Sequence, residues 1–410
     1  MKFSENAMCA ILLCSYVGIG KEDAFKPLTL KEWNAFLDQA AQSGQQPGAI
    51  MDPHFLKETG CSREYMERIE RLVSRGGAAA FALEELEKKG IDIVTQFDSD
   101  YPILIKRKLR RKAPPVFFYS GDISLAKKIG IGVAGSRNID EEGVRFTQKL
   151  VEKAAAERLV IYSGGARGID TVSERAAVEL GSAAISFVAD SLLTKIRKKD
   201  ILDAIINKKQ LLLSDVKPDV GFSAARAMNR NKYIYTSSYG TFVVASDYNS
   251  GGTWAGATEA LKNEWTKVLV WQNNKYAGNE KLIEKGAVPY SFSEASLFEL
   301  LTEKKETFQQ IDLFSISGEA VENQGKCADI AKEHKSEEQK SRQMPERGTA
   351  EIPDLYHVIA PYVVEHIGEG MTKEEAAEVF QVAKGQMNTW LKQLCRDSFL
   401  KYVKGRYVKR

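Results

Sequence analysis

Four segments of this sequence bring glycine, hydroxyl and basic residues together in spacings that suit anion binding. In Gly130-Ile-Gly-Val-Ala-Gly-Ser-Arg137, an apolar run ends where the Gly135 amide, the Ser136 hydroxyl and the Arg137 guanidinium can face an anion. In Ser163-Gly-Gly-Ala-Arg-Gly-Ile-Asp170, Ser163, Gly164, Gly165, Arg167 and Gly168 lie between a strand-like run and a helical pattern. Glycine there frees the backbone to approach a ligand, and the helix that follows presents free N–H groups and its positive dipole end. Asp170 suits the N-cap of that helix. The third segment, Asn229-Arg230-Asn231-Lys232, adds amide, guanidinium and ammonium donors, and the fourth, Ser250-Gly-Gly-Thr-Trp-Ala-Gly-Ala257, repeats the glycine turn with Gly251, Gly252 and Thr253. Together they make a phosphate-binding edge.

Catalytic readings find little to work with. The stretch from Pro115 to Gly286 contains no His and no Cys, so neither a Ser/His/Asp nor a Cys/His set can be assembled, and no metal ligands cluster. Gly130, Gly132 and Gly135 formally satisfy GxGxxG, yet a dinucleotide site expects an acidic residue at the second strand end, where Ser163-Gly164-Gly165 stands. The expectation is binding without catalysis, no metal and no cofactor.

Those loops need a parallel sheet to bring them to one edge. Short apolar runs recur at Val116–Tyr119, Gly130–Ala134, Leu159–Tyr162, Ala184–Val188, Leu211–Leu213, Thr241–Ala245 and Val268–Trp271, with helical patterns such as Glu141–Glu157 and Asp170–Leu180 between them. That alternation predicts an α/β class with a Rossmann-like parallel sheet core. Residues 1–108 read as a helical N-terminal domain and 109–295 as the core. The charge-rich 296–352 reads as a flexible linker. In 353–410, helical patterns at Leu355–Ile367, Thr372–Phe380 and Lys384–Leu394 precede a hairpin-like pair around Gly405, the outline of a C-terminal winged helix. Thr372 and Glu375 form a capping box at the second of these.

Composition agrees with a folded chain: 410 residues, 43% hydrophobic, with 58 basic against 55 acidic residues and a net charge of +3. Any nucleic-acid affinity must therefore come from local basic patches. The five scattered cysteines include no CxxC pair and read as buried thiols in a reducing compartment. The apolar run Ala7–Val17 is too short to span a membrane and lacks a basic lead beyond Lys2, so a cytoplasmic location is expected.

The order GSR, SGGARGID, NRNK and SGGTWAGA, with Asp100-Tyr101-Pro102, Pro114-Pro115-Val116 and Leu282–Ala287 around it, resembles the DprA/Smf family over roughly residues 90–290. The winged-helix tail fits an appendage that many members carry. The resemblance implies binding of single-stranded DNA without chemical alteration, a homodimer formed through the core, and loading of the RecA recombinase in recombination or DNA uptake. Ala227-Met228 stands where the family has FP, and Ser250–Trp254 replaces its SGS-type turn, which marks a divergent branch. A nucleotide-binding sensor is the alternative, or a hydrolase similar to the LOG-type nucleoside-monophosphate phosphoribohydrolases, on the strength of Gly251-Gly-Thr followed by Glu259. A transcriptional regulator would use the winged helix alone.

Further DNA contacts could come from Lys106–Lys112, with six basic residues in seven, from Arg197–Lys199, and from the basic tail after Arg396. Tyr233 or Trp254 could stack on bases, although core packing suits Trp254 better. Within the linker, Gln310-Ile-Asp-Leu-Phe314 resembles the peptide with which bacterial proteins dock on the sliding clamp. Leu313 and Phe314 would enter an apolar pocket and Gln310 its rim.

Overall fold

The computed structural model describes residues 3–51, 63–302 and 363–409, apart from positions 21, 22, 24, 365, 366, 368, 369, 381, 383, 398 and 404. Among the described residues four α-helices lead the chain: α1 (Glu5–Cys14), α2 (Leu30–Gln42), α3 (Arg63–Ser74) and α4 (Gly76–Lys88). The Ser4 side chain caps α1, and a Thr29–Glu32 capping box opens α2. Ala7, Cys9, Ala10, Ile11, Leu12 and Leu13 are all buried, so α1 is covered on most of its faces and centres the N-terminal layer. Of the described cysteines Cys9 is buried and Cys14 and Cys395 are half-buried, and burial pushes the Cys9 and Cys14 thiols up.

The rest is organised by one nine-stranded sheet, ordered β1-β2-β6-β5-β4-β3-β7-β8-β9. Its strands are β1 (Asp92–Thr95), β2 (Val116–Gly121), β3 (Gly130–Ala134), β4 (Val160–Ser163), β5 (Ala184–Phe187), β6 (Gln210–Ser214), β7 (Gly240–Val243), β8 (Lys267–Trp271) and β9 (Val288–Tyr290). All the expected strands are present. The strands β3 to β8 run parallel to one another, are buried almost throughout on both faces, and are hence legible as continuous apolar runs. Two features differ from the expectation. β1 and β9 are additional, and β1 and β2 join antiparallel at one side, so the sheet begins before residue 109. Both missed strands are short and lie at the sheet's edges, where the apolar signal is weakest.

The intervening helices are α5 (Ile103–Leu109), α6 (Glu141–Ala156), α7 (Ile169–Glu179), α8 (Leu192–Lys195), α9 (Lys199–Ile206), α10 (Ala224–Ser237), α11 (Gly251–Lys262) and α12 (Ala277–Glu284). Phe146 and Leu150 of α6 pack with Ile131 and Ile161 on one face of the sheet. On that same face Leu12, Trp33 and Ile69 cover Phe118 and Leu212. Tyr233 and Ile234 of α10 and Trp254 and Ala257 of α11 cover the other face, against Ile185, Val243 and Val270. The chain winds one way from β3 to β6 and the other way from β7 to β9. The turn-over point therefore lies between β3 and β7, where open α/β sheets hold ligands.

After β9 come α13 (Leu297–Thr302), α14 (Lys373–Val379), α15 (Lys384–Arg396) and a hairpin of β10 (Leu400–Val403) with β11 (Arg406–Lys409). The Thr372–Glu375 capping box opens α14. Phe298 of α13 meets Trp390 of α15 with ring centroids 5.1 Å apart, which docks the tail on the end of the core. Residues 303–362, including Gln310, Leu313 and Phe314 and most of the expected helix Leu355–Ile367, lie outside the described residues. No helix among the described residues is long and apolar enough to cross a membrane.

Candidate nucleic-acid interface

The loops that follow β3, β4 and β7 meet α10 around a cleft of about 390 Å³. Gly135, Ser136, Arg137, Arg230, Asn231, Gly251, Gly252 and Thr253 all line it. Ser163, Gly164, Gly165, Arg167, Gly168, Asn229 and Lys232 are not part of the lining. The expected residues thus fall into two groups, a lining and a scaffold beneath or beside it.

The lining is positioned by close backbone contacts. The Ser136 carbonyl accepts the Ile169 N–H at the start of α7, which ties the β3 loop to the β4 loop. Gly168 makes this possible, because its φ of +80° disfavours other residues and a Cβ there would run into the Ser136 carbonyl. The Ser136 hydroxyl accepts from Asn138 N at 3.1 Å, and Arg137 is exposed. Asn231 Nδ2 donates to the Gly252 carbonyl at 2.9 Å and holds the first turn of α11 against α10. The N-cap positions of these helices, Ser250 for α11 and Ser223 for α10, make no side-chain capping bond. Ala224 near the start of α10 and Gly251–Thr253 of α11 all face the cleft. Two uncapped helix N-termini therefore direct partial positive charge into one space, beside the Arg137 guanidinium.

The scaffold is a buried charge network under the β4 loop. Arg230 is 4% exposed and donates from Nη1 to the carbonyls of Gly164 and Phe187 and from Nε to Asn231 Oδ1 at 3.1 Å. Desolvation lowers its pKa, while the Asp170 and Glu174 charges oppose that shift. Asp170 does not cap α7, whose N-cap is Gly168. Its Oδ2 instead accepts from Ala166 N at 3.3 Å inside the loop. The reason is reach, since Asp170 already lies inside the first helical turn, where its carboxylate turns back on the loop rather than forward. Glu174 Oε1 accepts from Gly165 N at 2.8 Å, and burial pushes this carboxyl up to about 7, with the Asp170 charge adding to the shift. Lys195 Nζ donates to the Gly165 carbonyl. Ser163 is fully buried and donates to the Val133 carbonyl at 2.8 Å, so its hydroxyl is part of the sheet.

Asn229-Arg230-Asn231-Lys232 occupies the middle of α10 rather than a loop, which explains why its members point in different directions. Lys232 donates to Asn229 Oδ1 at 2.8 Å and lies 5.1 Å from the Tyr233 ring centroid, outside the cleft. Arg167 is exposed beside the start of α7. In the basic stretch, Lys106, Lys108 and Arg111 donate to Gln96 O, Ser238 O and Asp38, which leaves Arg107, Arg110 and Lys112 facing solvent. Tyr233 and Trp254 are buried at 2% and 7% exposure, and the Tyr233 hydroxyl donates to Asp215 Oδ2 at 2.6 Å, so neither is open to a base. Their positions on the sheet-facing side of α10 and α11 account for it. Glu259, on which the phosphoribohydrolase alternative turns, is exposed on α11 and outside the cleft.

One contributor had no sequence signal. Tyr235 lines the cleft, is 1% exposed, and its hydroxyl has no hydrogen-bond partner among the described residues. A buried donor without a partner is costly, and a bound acceptor would satisfy it. In the sequence it follows the buried pair Tyr233-Ile234 and reads as core. Among the described residues, no group of three or more His, Cys, Asp or Glu side chains is placed to hold a metal.

The family profile described as DNA recombination-mediator protein A matches residues 92–301. The DNA processing protein DprA of Streptococcus pneumoniae is 31% identical over 142 residues, 34% of this chain and 49% of that protein. Its Bacillus subtilis counterpart is 28% identical over 227 residues, 54% of this chain and 75% of that protein. The chain thus matches about half the length of the pneumococcal relative. The solved structure of the pneumococcal protein superposes with a TM-score of 0.53 at 21% identity, covering 71% of this chain and 95% of that one, a likeness of fold.

Proposed function

The chain belongs to the DNA recombination-mediator protein A family, and on that premise we propose that its β3–β7 edge binds single-stranded DNA by the phosphates, without chemically altering it. The observation that carries this reading is the convergence of two uncapped helix N-termini, the exposed Arg137 and the orphan Tyr235 hydroxyl on one cleft. Each supplies a donor to an anion and none supplies a nucleophile paired with a base. A single strand can bend its backbone into a concave site of this size, whereas duplex DNA is stiff over about 150 base pairs and keeps its phosphates on a convex surface.

In this reading Arg137, the amides of Gly135, Gly251 and Gly252, and the Ser136 and Thr253 hydroxyls hold phosphate. Ser163, Gly164, Gly165, Gly168, Arg230 and Asn231 hold the loops that present them. Arg167, Asn229 and Lys232 extend the basic surface on either side. Loading of a RecA-type recombinase, self-association through the core, docking of Gln310–Phe314 on the sliding clamp, and a winged helix in 353–410 belong to the same proposal, as what the family resemblance implies. The cytoplasm is the compartment that this role requires.

A mobility-shift assay on the full chain tests the reading. Single-stranded oligonucleotides should shift and matched duplexes should not, and Arg137→Glu should remove the shift. Equal affinity for both forms, or an unchanged shift with Arg137→Glu, would contradict it. A nucleoside-monophosphate panel followed for product release should remain intact, and hydrolysis would favour the nucleotide-acting alternative.

A further inference from the structure

Three large apolar side chains stand exposed around the same cleft. Phe222, Met228 and Tyr248 are 58%, 52% and 56% exposed. Met228 itself lines the cleft, Phe222 lies two residues before the lining Ala224, and Tyr248 follows the lining Asp247. Large exposed apolar groups gathered at a polar cleft mark a binding surface. Each aromatic ring packs on one neighbouring side chain. The Arg137 guanidinium lies 5.1 Å from the Phe222 ring centroid, and the Tyr248 ring meets buried Trp254 edge-on at 5.2 Å and 80°. Each ring is thus oriented with area open to solvent at little further entropic cost.

The charges around the rings differ. Arg137 makes the Phe222 rim cationic, while Asp247 places an exposed carboxylate on the lining beside Tyr248, where a phosphate would be repelled. An uncharged ring is the part of a DNA strand that this second rim tolerates. Resting on the phosphate reading above, we propose that Phe222 and Tyr248 are stacking platforms for two bases of the bound strand, with Met228 of the cleft lining as a further apolar contact. The strand would then be held by its bases as well as its phosphates, and an abasic strand of the same charge would bind less tightly.

The test compares full-length protein with a deoxythymidine oligomer and an abasic oligomer of equal length. Base stacking of this kind is worth about five- to one-hundred-fold in affinity per ring. With two rings the wild type should therefore prefer the thymidine oligomer by at least about 25-fold, and Phe222→Ala/Tyr248→Ala should remove that preference while leaving abasic affinity unchanged. Phe222→Trp and Tyr248→Trp should retain it, which separates stacking from damage to the fold. Equal wild-type affinity for the two oligomers, or equal losses for both in the alanine variant, would overturn the stacking role and leave the phosphate reading standing. Binding of neither oligomer by the wild type would overturn both.

Discussion

The Arg230 guanidinium donates to the carbonyl oxygen of Gly164, a residue 66 positions earlier in the chain, and so fastens the middle of α10 to the loop that follows β4. The contact lies beside the buried Asp170 carboxylate, and it makes the β4 loop and α10 one unit. Removing the guanidinium would leave that carboxylate without its main counter-charge. Arg230→Met is therefore expected to cost about 3 kcal/mol of unfolding free energy, measured by urea titration. A change within about 0.5 kcal/mol, the range of ordinary surface substitutions, would show that the network is not structural.

Glu174 gives the same network a pH signature. Burial raises its carboxyl to about 7, above the value near 4.5 that it has when exposed. The folded protein then binds more protons than the unfolded chain between those values, so this group's contribution is most favourable below pH 4.5 and is lost as pH rises through 7. Glu174→Gln keeps an oxygen for the Gly165 N–H and removes the charge. It should stabilise the protein at pH 8 by on the order of 1–3 kcal/mol, with the gain shrinking to nothing below pH 4.5. Thermal unfolding of the two proteins at pH 4, 6 and 8 checks this, and a gain independent of pH would contradict it.

Gly168 links stability to binding. Its φ of +80° and the Ser136 carbonyl against it leave no room for a side chain. Gly168→Ala should cost about 1–3 kcal/mol and should weaken strand binding, because the displaced Ser136 carries Arg137 with it. Gly221, where a Cβ would meet nothing, provides the control. Gly221→Ala should leave binding near wild type when both variants are measured by fluorescence anisotropy with a labelled single strand.

Much of this arrangement was legible in the sequence. Buried parallel strands such as Gly130–Ala134 and Gln210–Ser214 announce themselves as apolar runs, and the glycine turns after β3 and β7 mark the edge. What stayed hidden depends on direction. Arg230, Asn231 and Lys232 are adjacent in sequence, yet on a helix they point respectively into the fold, across to Gly252 and away from the cleft. Sequence adjacency cannot separate a buried guanidinium from an exposed one. Trp254 packs in the core as its helical pattern suggested, but Tyr233 faces the sheet instead of a base, while Phe222 and Tyr248 stand in loops where nothing in their spacing distinguishes them.

The most direct measurement is the salt dependence of single-strand affinity for the wild type and Arg137→Gln, by fluorescence anisotropy with the full chain. Phosphate contacts release counterions, so the logarithm of affinity should fall linearly with the logarithm of salt, and loss of one contact should reduce the slope by about 0.7. Parallel lines for the two proteins, or an affinity insensitive to salt, would contradict a phosphate role for Arg137 and with it the central reading of this edge.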